Sequence, residues 1–245
     1  MKFSKDNPVK IVMLGAGGTG GYIAPFLYRM ASIADREIKT IICDGDKVKL
    51  KNLVRQNFVY QDVGSNKAQV IANRYSQAFG LPAFYIPSYI EDENTLLSLL
   101  APEENGQMII LIGAVDNNKS RRLCDTVFKK LSDIIYIDSG NGEYYGQVVC
   151  GIKKNNITVQ KPMASYYPEV LSDVDLFPSE LSCADANETA PQTVAANMFA
   201  ANIVSVMLFN ILFRGVMNCK KNEFSTKTIN SVSIINTKKS YRRAA

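Results

Sequence analysis

Gly15-Ala16-Gly17-Gly18-Thr19-Gly20-Gly21 is the densest chemical signal in the chain. It follows the short apolar run Val9 to Leu14 and precedes Ile23, Phe26, Leu27 and Met30, which are spaced as on a helix. A glycine turn between a strand and a helix brings backbone N–H groups close to phosphates, and the helix N-terminus favours negative charge. Asp44 closes a second apolar run, Thr40 to Cys43, where a carboxylate can accept hydrogen bonds from ribose hydroxyls. NAD, FAD and S-adenosylmethionine would all accept this pair. A glycine turn with no ligand would produce the same loop.

The stretch after Asp44-Gly45-Asp46 discriminates between these ligands. It reads Lys47-Val48-Lys49-Leu50-Lys51-Asn52-Leu53-Val54-Arg55-Gln56-Asn57. A dehydrogenase has no need of an arginine and a lysine beside its phosphate loop. A nucleoside triphosphate does, because displacement at its α-phosphate builds negative charge on the leaving pyrophosphate. Arg55 can grip phosphate oxygens in a fork, and Lys67 can act as a point charge. Asp116, in Gly113-Ala114-Val115-Asp116-Asn117-Asn118, follows a later apolar run and could hold Mg²⁺ together with phosphates. Each residue also has a plainer reading. Arg55 and Lys67 could be solvated surface charges, and Asp116 could cap the helix that starts just after it.

Alternating elements must position these groups. Strands are expected at Val9–Leu14, Thr40–Cys43, Ala83–Ile86, Met108–Ile112 and Ile134–Ile137. Helices are expected at 18–30, 66–79, 91–100 and 118–131. That order predicts an α/β fold: a doubly wound, Rossmann-like, mostly parallel sheet with helices on both faces. Glu143 to Ile152 reads as an extended segment leaving the sheet, and 160–191 as a proline-bearing loop. Thr193 to Phe213 reads as a core helix interrupted by Asn197, Asn202 and Asn210 rather than a membrane span. Phe224–Thr228 and Ser231–Asn236 predict a closing antiparallel hairpin. A single domain over 1–245 is expected, with its nucleotide-binding part at 9–140 and a crossover loop, helix and hairpin at 141–245.

Composition narrows the chemistry further. The chain has 245 residues, 47% hydrophobic and 21% charged, and no histidine or tryptophan. Ser-His and Cys-His pairs, a histidine base and histidine metal ligands are therefore excluded. The net charge of +5 suits an anionic small molecule and gives no sign of nucleic acid. Much of the surplus lies in Lys238, Lys239, Arg242 and Arg243, read as a solvated tail. Five cysteines, an odd number with no C-x-x-C, argue against a disulfide framework and a zinc site. The polar stretch Met1–Lys10 is unlike a signal peptide, so a reducing cytoplasm is expected.

Taken together, G-x-G-G-x-G-G, D-x-D, N-L-x-R-Q, a lysine and a later aspartate resemble the adenylation domain of ubiquitin-activating-type enzymes, the ThiF/MoeB/HesA superfamily. Ser182-Cys183-Ala184 and Ala190-Pro191-Gln192-Thr193 are similar to ThiF-like proteins of the bacterial PRTRC system. The resemblance implies ATP and Mg²⁺ as cofactors. It assigns Gly15, Gly17, Gly18 and Gly20 to the phosphate loop, and Asp44 to the ribose with Asp46 as companion. Asn52, Arg55 and Gln56 match the nucleotide contacts, Lys67 the phosphate lysine, and Asp116 the Mg²⁺ ligand. It further implies adenylation of the C-terminal glycine of a small ubiquitin-like or sulfur-carrier protein, with Cys183 a candidate thioester acceptor, and a homodimer. Two departures stand out. The zinc cysteines are missing, and only Lys2 and Lys5 lie upstream of the first strand, where some relatives supply a cross-subunit arginine. A non-catalytic nucleotide-binding partner module and a NAD(P)-dependent oxidoreductase are the alternatives.

Overall fold

β1 (Val9–Leu14) is buried along its whole length, on both faces. Val9, Ile11 and Met13 point into one apolar layer, and Val12 and Leu14 into another. A run that is apolar except for the buried Lys10, which pairs with Glu103 at 2.9 Å, therefore makes a central strand that needs helices above and below. The computed structural model describes residues 2–172, 176–180 and 192–236. β1 pairs in parallel with β2 (Ile38–Cys43) on one side and with β4 (Met108–Gly113) on the other. β3 (Phe84–Ile86) extends the sheet beyond β2, and β5 (Ile134–Asn141) beyond β4, both parallel. The chain thus runs outward from β1 to β3, then crosses back to β4. The crevice at the carboxyl ends of β1 and β4 is where such sheets bind ligands.

Helices α1 (Gly18–Ile33), α2 (Lys67–Phe79) and α6 (Val194–Leu212) contribute to one apolar layer. α3 (Glu93–Leu100) and α4 (Asn118–Lys130) contribute to the other. Four of these helices start with a side-chain cap: Asn66 for α2, Asp92 for α3, Asn117 for α4 and Thr193 for α6. The start of α1 has none, and its N-cap is Gly17. That helix end, with its partial positive charge, is left to face the crevice. α6 is long and apolar enough to cross a membrane by length and composition. Here Ala200, Val204, Leu208 and Ile211 are buried, and α6 lies against α1, β5 and the next strand, β6. α5 (Glu169–Ser172) is a single turn.

Three sequence expectations need correction. Glu143–Ile152 does not leave the sheet. β6 (Tyr145–Lys154) pairs antiparallel with all of β5, from Asn141↔Gly146 to Ile134↔Lys153. The Gly142 N–H donates to the Tyr145 carbonyl at 2.8 Å and turns the chain straight back, so its apolar residues return to the core. β5 also runs four residues past Ile137, because Asp138, Ser139 and Asn141 are polar and hide the strand from a hydrophobic pattern. The closing hairpin is displaced: β8 spans Cys219–Ser225 and β9 Asn230–Ile235. Residues 226–229 form the turn, and the alternation in Cys-Lys-Lys-Asn is too polar to read as a strand. β7 (Ile157–Gln160), which pairs with β6, was not foreseen. The full order is β3-β2-β1-β4-β5-β6-β8-β9, parallel through β5 and antiparallel afterwards.

The packing of α6 can be tested directly. Leu208 is fully buried, so Leu208→Ala is expected to cost about 2–5 kcal/mol. Val54 is 82% exposed, and Val54→Ala should stay within about 0.5 kcal/mol. Urea midpoints of the two variants provide the check, and equal midpoints would place α6 outside the core.

Candidate functional site

A cleft of about 570 Å³ opens at the carboxyl ends of all five parallel strands. Gly15, Gly17, Gly18, Asp44, Asp46, Asn52, Arg55, Gln56, Lys67 and Asp116 all line it. Gly20 does not. It packs behind the loop, where a Cβ would strike the Gly15 carbonyl. Gly15 has φ +94°, and its own Cβ would meet the Ala114 carbonyl at the end of β4. Gly17 differs from these. The nearest atom to a Cβ there is Gln56 Nε2 at 3.6 Å, so no protein crowding demands glycine, and the bare backbone faces the cleft. Cys183 lies outside the described residues, as do Lys238, Lys239, Arg242 and Arg243.

Asp44 ties the loop to β2. One carboxylate oxygen accepts from the Ala16 N–H at 2.7 Å, and the other from the Asp46 N–H at 2.8 Å. Each oxygen keeps a second lone pair for a ligand hydroxyl. Burial pushes the Asp44 carboxyl above the ordinary aspartate range, against the pull of Lys67 and the two N–H donors. Lys67, the first residue of α2, is buried rather than solvated, and its ammonium lies 2.6 Å from Asp46. The Tyr89 hydroxyl donates to the other Asp46 oxygen at 2.5 Å. Burial alone would raise Asp46, but Lys67 and Tyr89 outweigh it and hold the carboxyl below its ordinary range.

Arg55 donates to the Gln192 carboxamide at 2.7 Å, just before α6. Asn52 accepts from the Lys49 N–H at 2.8 Å, which fixes the turn carrying the lysines. Gln56 is buried, and its Oε1 has no partner although the residue lines the cleft. A buried acceptor left open is costly unless something fills it. Asp116 is exposed on the loop after β4, and Asn117, not Asp116, caps α4 through the Ser120 N–H at 2.8 Å. The capping role considered for Asp116 therefore falls to its neighbour, and the aspartate is left facing the cleft.

Several site residues were missed from sequence. Tyr89 follows β3 with no motif around it. Arg121 donates to Asp138 at 3.2 Å and to the Val115 carbonyl at 2.6 Å, supporting the Asp116 loop from below. Asp138 is fully buried and also accepts from the Tyr136 hydroxyl. Asn141 accepts from Thr19 at 3.0 Å and donates to Asn197 at 3.0 Å. Asn197 in turn donates to the Arg55 carbonyl at 3.2 Å. The one available signal was Asn197 itself, an amide within an otherwise apolar helix.

A Gly-rich turn, an uncapped helix end, paired acidic and basic side chains and a loop aspartate at a topological switch point define a nucleotide-binding α/β domain. The chain belongs to the ThiF family, whose model matches residues 5–244. Its structure is similar to E. coli MccB bound to AMPCPP and MccA, with TM-score 0.67, 17% identity, and coverage of 93% of this chain and 63% of that one. It is also similar to E. coli MccB with ATP, with TM-score 0.66, 18% identity, and coverage of 93% and 63%. PaaA matches with TM-score 0.64, 19% identity, and coverage of 93% and 64%. The chain thus spans under two thirds of the length of these structures. No curated protein matches it significantly in sequence.

Cys43 lines the cleft beside Asp44, yet burial first and then the Asp44 charge push its thiol up to about 12. An acid with its pKa raised that far stays neutral at pH 7 and is a poor nucleophile. Native protein is expected to show the same iodoacetamide labelling rate with Cys43→Ala as without it. A drop in that rate would mean that Cys43 is accessible as thiolate.

Proposed function

We propose that the protein uses ATP and Mg²⁺ to adenylate the C-terminal carboxylate of a small carrier protein of the ubiquitin-like or sulfur-carrier kind. The observation that carries this is the convergence of Gly17, Lys67, Arg55 and Asp116 on one cleft. The acceptor carboxylate is already ionised at neutral pH, so no base is required. A carboxylate oxygen attacks the α-phosphorus, and the α–β phosphoanhydride bond breaks. The products are an acyl-adenylate and pyrophosphate. The N–H groups at the start of α1 orient the α-phosphate, and Asp44 positions the ribose. Arg55 and Lys67 stabilise charge passing to the leaving pyrophosphate. Asn52 and Gln56 complete the nucleotide contacts, and the open Gln56 oxygen supplies an acceptor within them.

No three acidic or cysteine side chains are arranged to hold a metal ion by themselves among the described residues. A lone Asp116 suits Mg²⁺, which binds through one or two carboxylates plus phosphates and water. When bound, that ion would screen the phosphate charge. If a thioester step follows, the Cys183 thiolate would attack the acyl-adenylate carbonyl, break the acyl–phosphate bond and release AMP. The odd number of cysteines and the absence of a C-x-x-C support a cytoplasmic setting.

ATP–pyrophosphate exchange with a carrier ending in Gly-Gly is the test. Wild type should exchange, and Arg55→Ala and Asp116→Ala should each lose on the order of 10²–10³-fold. Exchange untouched by both changes overturns the roles. ATP binding without any exchange marks a non-catalytic module instead.

The same reading places two copies together. Phe26 on α1 and Val206 and Phe209 on α6 are exposed apolar side chains on adjoining helices, which supports a homodimer through that face. Light scattering should give a dimer mass that Val206→Asp lowers toward monomer. A monomeric wild type overturns this.

A further inference from the structure

Three cations of the cleft are held in two different ways. Lys67 lies 2.6 Å from the Asp46 carboxylate, and Arg121 lies 3.2 Å from that of Asp138. Arg55 is held by a neutral amide instead: its guanidinium donates to the Gln192 side-chain oxygen at 2.7 Å. A carboxylate partner fixes a guanidinium and cancels its charge. A carboxamide oxygen fixes it and leaves the charge in place. Arg55 is therefore oriented and still fully positive toward a ligand.

The start of α6 places Gln192 for this. Thr193 caps the helix, and its hydroxyl donates to the Glu143 carbonyl at 2.7 Å, which fixes the chain beside Gln192. The Gln192 amide nitrogen donates to the Asn141 carbonyl at 3.5 Å, so its oxygen is turned to Arg55. One turn further on, Asn197 donates to the Arg55 carbonyl at 3.2 Å and accepts from the Asn141 side chain at 3.0 Å. Arg55 is thus gripped at its guanidinium and at its backbone by the same end of one helix, and both amides use Asn141 as their second anchor. Gln192 lines the cleft and also the smaller cavity of about 270 Å³ beside it, so it stands within the site and not behind it.

We propose that Gln192 is a positioning residue for the adenylation step, aiming the Arg55 guanidinium at the terminal phosphates of ATP without neutralising it. The proposal rests on the adenylation reading above. Two substitutions of similar size separate its two tasks. Gln192→Glu keeps an anchor for Arg55 and cancels the charge, whereas Gln192→Met keeps the charge and removes the anchor. Titration calorimetry with Mg²⁺ and either ATP or AMP reads the difference, because AMP lacks the terminal phosphates. Gln192→Glu should weaken ATP at least about tenfold and Gln192→Met about threefold, with AMP within about twofold for both. The thermal midpoint of Gln192→Glu should stay at or above the wild-type value, since a guanidinium–carboxylate pair replaces a neutral bond. In an Arg55→Ala background, Gln192→Met should weaken ATP no further, because its effect runs through Arg55. If either single variant binds ATP as wild type does, if ATP and AMP weaken together, or if the methionine effect persists without Arg55, the Gln192 assignment fails while the adenylation reading stands. Wild-type protein that binds no ATP overturns both.

Discussion

The buried side-chain amide of Asn197 joins four distant stretches of chain. It sits against Gly18 at the start of α1, accepts from Asn141 at the end of β5, and donates to the Arg55 carbonyl. Asn141 passes the link on to Thr19. The helix start, the last parallel strand, the arginine turn and the C-terminal helix are thereby held in one register. Such a network is worth having only when complete, since each amide stranded without its partner costs about 1–3 kcal/mol. Gly18 has no side chain because that amide occupies the space. Much of the glycine pattern at this loop follows from protein packing, and only Gly17 is left bare toward the cleft.

Charge is arranged on top of that frame in pairs. Lys67 and Asp46 neutralise each other beside the loop, and Arg121 and Asp138 do so beneath the Asp116 turn. Burying a charge without a partner is expensive, and the buried members, Lys67 and Asp138, each have one. They also hold geometry. Tyr89 packs its ring over Gly45 and bonds Asp46, so the third strand's loop is keyed to the second's. Asp44 is held by two backbone N–H groups and keeps free lone pairs pointing at the cleft. The pairs set the shape, and Arg55, held by the neutral Gln192 amide, adds a positive charge to the cleft.

The parallel half of the fold was legible because its strands are buried on both faces. Met108–Gly113 is a continuous apolar run, and Val9–Leu14 is apolar except for Lys10; both end at glycine. The antiparallel half was misread where polarity serves the site. Asp138, Ser139 and Asn141 are buried in β5 yet polar, and β8 is rich in lysine and asparagine. Ten of the motif residues, from Gly15 to Asp116, do line one cleft. Tyr89, Arg121 and Asn141 were invisible, and Gln192 was noted only within a motif and not as a partner of Arg55, because their roles depend on contacts between segments far apart in sequence, which no local pattern encodes.

The missing histidine is consistent with what this frame is built to do. Proton transfer calls for a group free to titrate near neutral pH; in this cleft Asp46 is held low, Cys43 and Tyr89 are pushed up by burial, and Asp44, also raised by burial, is occupied by two backbone N–H donors. What it offers is fixed charge and fixed N–H groups. Chemistry suited to such a site moves no proton and instead shifts negative charge between phosphate oxygens. Attack by an ionised carboxylate on a phosphoanhydride is a reaction of that kind. A hydride transfer would leave Arg55 without a use, so the charge beside the glycine turn, more than the turn itself, separates the two chemistries.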